Sequence, residues 1–293
     1  MSEPARSVPA SPTKVLRSLL AREGLIVSVG AHDVFTALLV EQAGFETVFL
    51  GGFGAAASLL GLPDYGLITQ AEMADQVRRM AGRVKIPVIA DGDDGHGDIH
   101  NALRTLDLFE RAGAAGILIE DQVHPKKCGH FEEKRVVPKE DALRKIRLVF
   151  EARRDPDFVI IGRTDARAVL GLDEAIDRAR RFRDAGCDLV FIEAPESRAE
   201  LERIAREVRA PMLANMLTGG KTPILSREEL TDLGFKIAVY PIESLMVLAR
   251  RFGRILKSLR NEGSLLSVMD DLATFGELKE ILGLGAMEKL SHL

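Results

Sequence analysis

The sequence predicts an α/β protein built as a (β/α)8 TIM barrel, and two features of the 293-residue chain lead to this fold class. Short runs of Val, Ile, Leu and Phe recur along the chain, and each ends at a polar residue or a glycine. Unbroken apolar runs are typical of parallel strands that are covered on both faces. The stretches between the runs have the apolar spacing of amphipathic helices. The eight runs are residues 26–30, 47–51, 87–90, 116–119, 158–162, 189–192, 211–214 and 236–240.

Eight successive strand–helix units favour a closed barrel over the alternative, an open doubly wound sheet. No change of composition divides the chain, so we predict one catalytic domain over residues 14–263, after a disordered N-terminus over residues 1–13. Residues 264–293 form a predicted helical tail, whose apolar side chains need a partner in the same barrel or in a neighbouring subunit. The clearest predicted helices are residues 98–112, 139–154, 172–185 and 243–260.

Composition excludes several classes of function. The net charge is −4 with no long run of Lys or Arg, so the chain lacks the basic footprint of a nucleic-acid-binding protein. It has no run of about 18 apolar residues and no apolar signal segment at its N-terminus, which predicts a cytoplasmic protein without a membrane partner. Two cysteines, Cys128 and Cys187, are too few for a disulfide framework and are expected to be free thiols.

Polar residues follow most of the predicted strands, where the active site of a barrel is built. The alternation of a strand places Asp91 and Asp93 on one face. Carboxylates that converge on one barrel mouth repel each other unless a cation neutralises them, and oxygen ligands favour magnesium or manganese over zinc. We therefore predict a site for Mg²⁺, or alternatively Mn²⁺. The strand-end residues are Asp33, Asp91, Asp93, Glu120, Asp121, Arg163, Asp165, Glu193 and Asn215.

The loop after the fourth strand, residues 122–134, contains the segment Lys126-Lys127-Cys128-Gly129-His130. Lysines and a histidine beside a thiol are expected to stabilise its thiolate and to let it exchange a proton. Cys187, which precedes the sixth strand, is interpreted as a packing residue.

These motifs resemble the isocitrate lyase and phosphoenolpyruvate mutase superfamily. The resemblance extends from about Gly30 to the C-terminal helices, and the Cys-Gly-His segment is similar to the lyase branch, which includes 2-methylisocitrate lyase and 2,3-dimethylmalate lyase. The motifs concerned are Leu62-Pro63-Asp64, Asp91-x-Asp93, Glu120-Asp121-Gln122 and Lys127-Cys128-Gly129-His130.

The resemblance implies roles for individual residues. Asp93 is expected to bind magnesium directly, while Asp64, Asp91 and Glu120 hold its waters. Gly51 and Gly52 are expected to form a backbone cradle for the carboxylate of a 2-oxo acid. The resemblance also implies a homotetramer that exchanges its C-terminal helices, and a loop that closes over the substrate. The catalytic and substrate-binding candidates are Cys128, His130, Arg163, Glu193, Lys127, Gly129, Asp91 and Asn215.

The reaction implied is the cleavage of a small 2-hydroxy di- or tricarboxylic acid to pyruvate or a related 2-oxo acid and a carboxylate. Cys128 is expected to protonate the departing carbon, but Phe49 and Gly51 stand where methylisocitrate lyases carry a Tyr and a Ser, so the base stays open. Leu217 stands where tricarboxylate-cleaving relatives tend to have a hydroxyl. The alternatives are an oxaloacetate hydrolase or decarboxylase on the same metal site, and a barrel that only binds a metabolite.

Overall fold

The computed structural model describes residues 11–291. Within this range eight strands pair in parallel. Each lies at one of the eight predicted runs, with ends that differ by no more than two residues. The strands are β1 (Ile26–Gly30), β2 (Val48–Leu50), β3 (Val88–Asp91), β4 (Gly116–Glu120), β5 (Val159–Thr164), β6 (Leu189–Ile192), β7 (Leu213–Asn215) and β8 (Ile237–Tyr240).

The strands form an almost closed barrel. Each strand from β1 to β6 pairs with the next, and β1 pairs also with β8, which pairs with β7. An isolated parallel bridge between Val190 and Met212 joins β6 to β7 and completes the circle. An open doubly wound sheet would not pair its first strand with its last, so the predicted barrel is confirmed and the alternative is wrong.

The helices surround the barrel, and local signals define their ends. Thr69 and Glu72 form a capping box before α4, and Gly113 ends α5 in the left-handed conformation. A 3-10 helix, Leu266–Asp271, lies in the tail. The α-helices of residues 11–291 are α1 (Pro12–Ala21), α2 (Val34–Gln42), α3 (Gly52–Leu59), α4 (Gln70–Ala81), α5 (Ile99–Ala112), α6 (Lys139–Ala152), α7 (Ala166–Leu170), α8 (Leu172–Asp184), α9 (Arg198–Val208), α10 (Arg227–Asp232), α11 (Glu243–Glu262), α12 (Phe275–Leu282) and α13 (Leu284–Ser291).

Helix α1 closes the amino-terminal end of the barrel. Leu16 is fully buried and belongs to the cluster of side chains inside the barrel, while Arg17 forms an ion pair with Asp188 at 2.6 Å. Because one end of the barrel is filled in this way, only the carboxyl ends of the strands open to a site. The disorder predicted for residues 1–13 falls mainly on residues 1–10, which lie outside the described residues, and α1 begins at Pro12.

The C-terminal helices leave much of their apolar surface uncovered. Ile255 is the buried residue of the 20-residue helix α11, whereas Val247 and Phe252 on the same helix are exposed. Phe275, at the start of α12, is 73% exposed. Of the helices in residues 11–291, none combines the length and the apolar character that a membrane span requires. The predicted tail includes residues 292 and 293, which lie outside the described residues.

Candidate active site

A cavity of about 140 Å³ lies at the carboxyl ends of the strands. One water occupies roughly 10–15 Å³ of such space, so the cavity has room for about ten waters or a small carboxylic acid. Its lining has an acidic part, a part centred on an arginine and an apolar wall. The lining residues used below are Phe49, Gly51, Gly52, Phe53, Asp64, Asp91, Lys126, Lys127, Cys128, Gly129, His130, Arg163, Phe191, Glu193, Leu213, Asn215, Leu217, Val239, Pro241 and Ile242.

The acidic part gathers Asp64, Asp91 and Asp93 around the buried ammonium of Lys126. Lys126 Nζ lies 2.7 Å from Asp64 Oδ1 and 2.6 Å from Asp93 Oδ1. Asp91 accepts the backbone N–H of Asp93 at 3.0 Å and that of Gly52 at 3.3 Å. A side chain at Gly52 would meet Lys126 Nζ at 2.8 Å and Asp93 Oδ1 at 2.9 Å, so only glycine fits against this cluster.

Burial leaves this cluster short of positive charge. It raises the pKa of Asp93 well above the usual range, and Asp91 and Asp64 add to the effect while Lys126 opposes it. Burial likewise raises the pKa of Glu120. Asp93 Oδ1 is close to Lys126 but off the direction of a hydrogen bond, so the contact is an ion pair. Glu120 Oε1 has no hydrogen-bond partner among the described residues. Oxygen atoms in this condition can accept a further cation.

The evidence that a divalent cation fits here is the presence of these oxygen atoms; the side chains are not already arranged as a complete metal-binding site. Within residues 11–291, no group of three or more His, Cys, Asp or Glu side chains is arranged to hold a metal. Magnesium keeps several waters and needs only one or two direct carboxylates, which matches a buried Asp93 surrounded by further acids. The donor chemistry therefore fits magnesium or manganese, and the ammonium of Lys126 lies where a cation is needed.

Arg163, at the end of β5, lies at the centre of a second group of polar side chains, called the Arg163 pole from here on. Its guanidinium lies 2.8 Å from Asp165, 3.2 Å from Glu120 and 3.2 Å from Glu193. Burial alone would raise the pKa of Glu193, but Arg163 and the hydrogen bond with His130 outweigh it and hold this pKa well below its usual range. Glu193 is therefore ionised at neutral pH and keeps Arg163 in place.

His130 and Asn215 complete this pole. The backbone N–H of Lys221 donates to His130 Nδ1 at 3.2 Å, which assigns the imidazole proton to Nε2. Nε2 lies 3.3 Å from Glu193 Oε1. The Asn215 amide is 3.4 Å from the same carboxylate oxygen, and its Oδ1 is buried with no hydrogen-bond partner in the part of the chain that the structure describes. An unpartnered oxygen on a cavity wall is available to a substrate hydroxyl.

The loop of residues 122–134, called the lid from here on, covers the mouth of the barrel. The Gln122 side chain bonds the backbone of Lys127 in both directions, at 2.8 and 3.1 Å. The backbone N–H of Cys128 donates to Asp64 O at 3.1 Å. A side chain at Gly129 would come within 2.4 Å of Arg163 and 2.5 Å of Glu193, so the lid reaches this position only with glycine. The lid is therefore closed.

The prediction of a stabilised thiolate at Cys128 is wrong. Burial raises the pKa of the Cys128 thiol to about 12, and Asp64 and Glu193 contribute in the same direction. The neighbouring lysines do not offset this effect, because Lys126 is bound by Asp64 and Asp93, and Lys127 Nζ points to the Glu132 carbonyl at 3.5 Å. At neutral pH the closed lid thus holds a protonated thiol over the cavity.

Other strand-end residues have structural contacts instead. Asp33 caps α2 by accepting the N–H of Thr36, and Asp121 accepts from Thr164 and Arg178. Gly51 caps α3 and lies against the ring of Phe49, while the backbone N–H of Gly52 donates a hydrogen bond to the Asp91 carboxylate. Lys126 and Lys134 were not predicted as site residues from the sequence.

An apolar wall faces the polar groups of the cavity. It comes from the barrel interior and from the segments that follow β2, β7 and β8. Arg163 stacks over the Phe191 ring at 5.4 Å, which fixes the junction between the polar and apolar parts. The wall consists of Phe49, Phe53, Phe191, Leu213, Leu217, Val239, Pro241 and Ile242.

A parallel barrel with buried acids, an arginine pole and a thiol-bearing lid around one cavity is the arrangement of a lid-gated TIM-barrel enzyme. The chain belongs to the phosphoenolpyruvate phosphomutase family, whose model matches residues 16–260, and so to the isocitrate lyase/PEP mutase superfamily. The family resemblance seen in the sequence is confirmed.

Three relatives illustrate the range of the superfamily. The 2,3-dimethylmalate lyase of Eubacterium barkeri is 40% identical over 277 residues, which cover 94% of this chain and 96% of that protein. A solved oxaloacetate acetylhydrolase in complex with 3,3-difluorooxalacetate has a TM-score of 0.92 and 32% identity, with 97% of each chain covered. A phosphonopyruvate hydrolase in complex with oxalate and Mg²⁺ has a TM-score of 0.87 and 27% identity, covering 96% of this chain and 98% of that one.

Proposed function

We propose that this protein is a magnesium-dependent carbon–carbon lyase that cleaves a small 2-hydroxy dicarboxylate to pyruvate or a related 2-oxo acid and a second carboxylate. The observation that carries the proposal is the position of the Cys128 thiol, which the closed lid holds in one cavity with an acidic cluster and the Arg163 pole. Similarity to 2,3-dimethylmalate lyase over almost the full chain supports this assignment.

The cation-binding residues in this proposal are Asp93 as the direct ligand and Asp64, Asp91 and Glu120 around it. Asp93 Oδ1 and Glu120 Oε1 support this set, since both are buried and accept no hydrogen bond from residues 11–291. When bound, Mg²⁺ or Mn²⁺ supplies a Lewis acid that polarises the oxygens of a 2-hydroxy acid and favours loss of the hydroxyl proton.

The residues of the chain bind the substrate and supply one proton. The substrate hydroxyl gives its proton to a general base of the site, and its oxygen becomes the carbonyl oxygen of the 2-oxo acid as the C2–C3 bond breaks. The electron pair of that bond passes to C3 and its carboxylate, where Arg163 and the Nε2–H of His130 stabilise the negative charge. Cys128 then donates its proton to C3. A thiol with a pKa of about 12 gives up this proton only to a strongly basic carbon, which suits the role.

The cavity favours a dicarboxylate with alkyl substituents over a tricarboxylate. Each cationic side chain of the lining already has an acidic partner: Lys126 contacts Asp64 and Asp93, Arg163 contacts Glu193, and Lys127 Nζ lies 3.6 Å from Glu133 Oε2. A third carboxylate would be buried without a countercharge, whereas a methyl group would pack on the apolar wall.

A panel of 2-hydroxy acids tests this preference. We expect kcat/KM for 2,3-dimethylmalate to exceed that for 2-methylisocitrate by at least about 100-fold, since an unpaired buried charge costs several kcal/mol. The measurement is the rate of 2-oxo acid formation at saturating magnesium. A higher kcat/KM for the tricarboxylate would contradict the assigned substrate class.

Hydrolysis of oxaloacetate is the second candidate function, and one observation favours it. The oxaloacetate acetylhydrolase structure superposes on this chain with a TM-score of 0.92. Oxaloacetate shares the two carboxylates of the proposed substrate but has no alkyl group for the apolar wall. Formation of oxalate and acetate from oxaloacetate would identify this activity.

Removal of the metal is expected to abolish activity. Chelation should leave less than about one per cent of the rate, and magnesium or manganese should restore it, because oxygen donors prefer hard cations. The measurement is turnover after treatment with excess chelator and after titration with each cation. Undiminished turnover in chelator would contradict the metal requirement.

We further propose that the protein is a homotetramer whose C-terminal helices pack on neighbouring subunits. The exposed apolar side chains of α11 and α12, among them Phe252 and Phe275, support this arrangement. A chain that ends before Ser264 is expected to dissociate or aggregate. Size-exclusion chromatography with light scattering measures the outcome, and a tetrameric truncated protein would contradict it.

A further inference from the structure

A lysine of the lid that is not in the proposed substrate-binding set connects the lid to the barrel. The side chain of Lys134 is 1% exposed, and its ammonium donates to the backbone carbonyl of Gly129, in the middle of the lid. The same ammonium donates to Asp165 Oδ1 at 2.6 Å. Asp165 lies directly after β5 and is fully buried. One cation thus joins the middle of the lid to the end of β5.

Asp165 also holds the arginine of the site. Arg163 Nε donates to Asp165 Oδ2 at 2.8 Å, and Arg163 Nη2 donates to Asp165 Oδ1 at 3.1 Å. Oδ1 therefore accepts from Lys134 and from Arg163 at once. Through this shared oxygen the position of the lid is coupled to the guanidinium that lies 3.2 Å from Glu193.

The base of the lid is already secured without Lys134. The N–H of Val123 donates to Arg135 O at 2.9 Å, and an antiparallel bridge joins Gln122 to Val136. These bonds tie the two ends of the lid together and involve no residue from the middle of the lid. The contact of Lys134 with Gly129, in contrast, exists only when the middle of the lid lies near β5.

We propose that Lys134 is the latch of the lid, a positioning residue that stabilises the closed state through Gly129 and Asp165 and thereby fixes Arg163 for catalysis. The inference rests on the proposed function for its effect on turnover. Its effect on lid closure can be measured without the reaction, because the rate at which the Cys128 thiol is alkylated depends on whether the lid is open.

Alkylation of Cys128 measures that opening. The Cys128 thiol is only partly exposed in the closed lid, so iodoacetamide should react with it faster when the lid opens, and peptide mass spectrometry separates Cys128 from the buried Cys187. In Lys134→Met we expect alkylation of Cys128 to be at least about tenfold faster than in the wild type, since a hydrogen bond to a charged group is lost from the closed state. We expect kcat/KM to fall by a similar factor or more.

Two further variants distinguish a specific role of Lys134 in lid closure from a general loss of stability of the protein. Lys139→Met removes a lysine that bridges Glu174 and Asp177 on α8, away from the lid, and should leave both alkylation and turnover near wild-type values. Lys134→Gln keeps a donor for Gly129 O but no charge for Asp165, and should give intermediate alkylation; it also serves if Lys134→Met does not fold.

The proposal is overturned if alkylation of Cys128 is unchanged in folded Lys134→Met and Lys134→Gln. It is equally overturned if Lys139→Met increases alkylation as much as Lys134→Met. Because alkylation requires no turnover, faster alkylation in a protein that cleaves no 2-hydroxy acid supports the latch while rejecting the proposed reaction.

Discussion

Replacement of Cys128 by serine is expected to lower kcat by at least about 100-fold, the lower limit for general acid catalysis, and to change substrate affinity only a few-fold. Serine is nearly isosteric and keeps a hydrogen-bonding hydroxyl, so the lid should still close. Its hydroxyl is a far weaker acid than the Cys128 thiol, even with the pKa of that thiol raised to about 12 by burial, so it cannot donate the proton to C3. Steady-state kinetics with direct substrate titration of the magnesium-loaded protein measure both quantities.

Cys187→Ser is the matched control, because Cys187 is buried beneath β5 near Gly162 and does not line the cavity. It should lower stability and leave kcat unchanged. Retention of kcat within a few-fold in Cys128→Ser would show that Cys128 is not the acid, and His130 or Lys127 would then have to protonate the product.

The second large effect is expected for Asp93→Ala. Loss of the proposed direct ligand should weaken Mg²⁺ binding by at least about 100-fold and abolish turnover. Removal of an outer-shell group typically lowers metal affinity by 10- to 100-fold. Asp64→Ala should therefore weaken binding less. Calorimetric titration of each variant with Mg²⁺ measures the difference without reference to the reaction.

Asp33→Ala provides the control, because Asp33 is also a strand-end carboxylate but caps α2 at Thr36. It should cost about 1 kcal/mol of stability and leave metal affinity unchanged. Equal losses of Mg²⁺ affinity in Asp93→Ala and Asp64→Ala would contradict the assignment of Asp93 as the single direct ligand. Unchanged Mg²⁺ affinity in both variants would show that the metal does not bind at this cluster.

The fold was predictable because each strand is marked by a short stretch of the sequence that can be recognised by itself. Unbroken apolar runs located all eight strands, and their number in succession implied the closure that the β1–β8 pairing provides. The strand ends also located the mouth of the barrel, and Asp91, Glu193 and Asn215 do line its cavity.

The directions of long side chains were not predictable in the same way. Sequence places Lys126 two residues from Cys128 and suggests a stabilised thiolate, but its ammonium reaches Asp64 and Asp93 on other loops. Asp165 lies at a strand end as Asp91 does, yet it binds Arg163 and Lys134 and does not line the cavity. Such differences depend on contacts between segments that are distant in the sequence.

Carbon–carbon cleavage is tested most directly by NMR analysis of the products from 2,3-dimethylmalate with the magnesium-loaded protein. Cleavage of its C2–C3 bond yields pyruvate and propionate, and in D2O the propionate should carry one deuterium at C2. We expect the two products in equal amounts and neither of them after chelation. Turnover of oxaloacetate to oxalate and acetate, with no 2-hydroxy acid of the panel consumed, would contradict the lyase assignment.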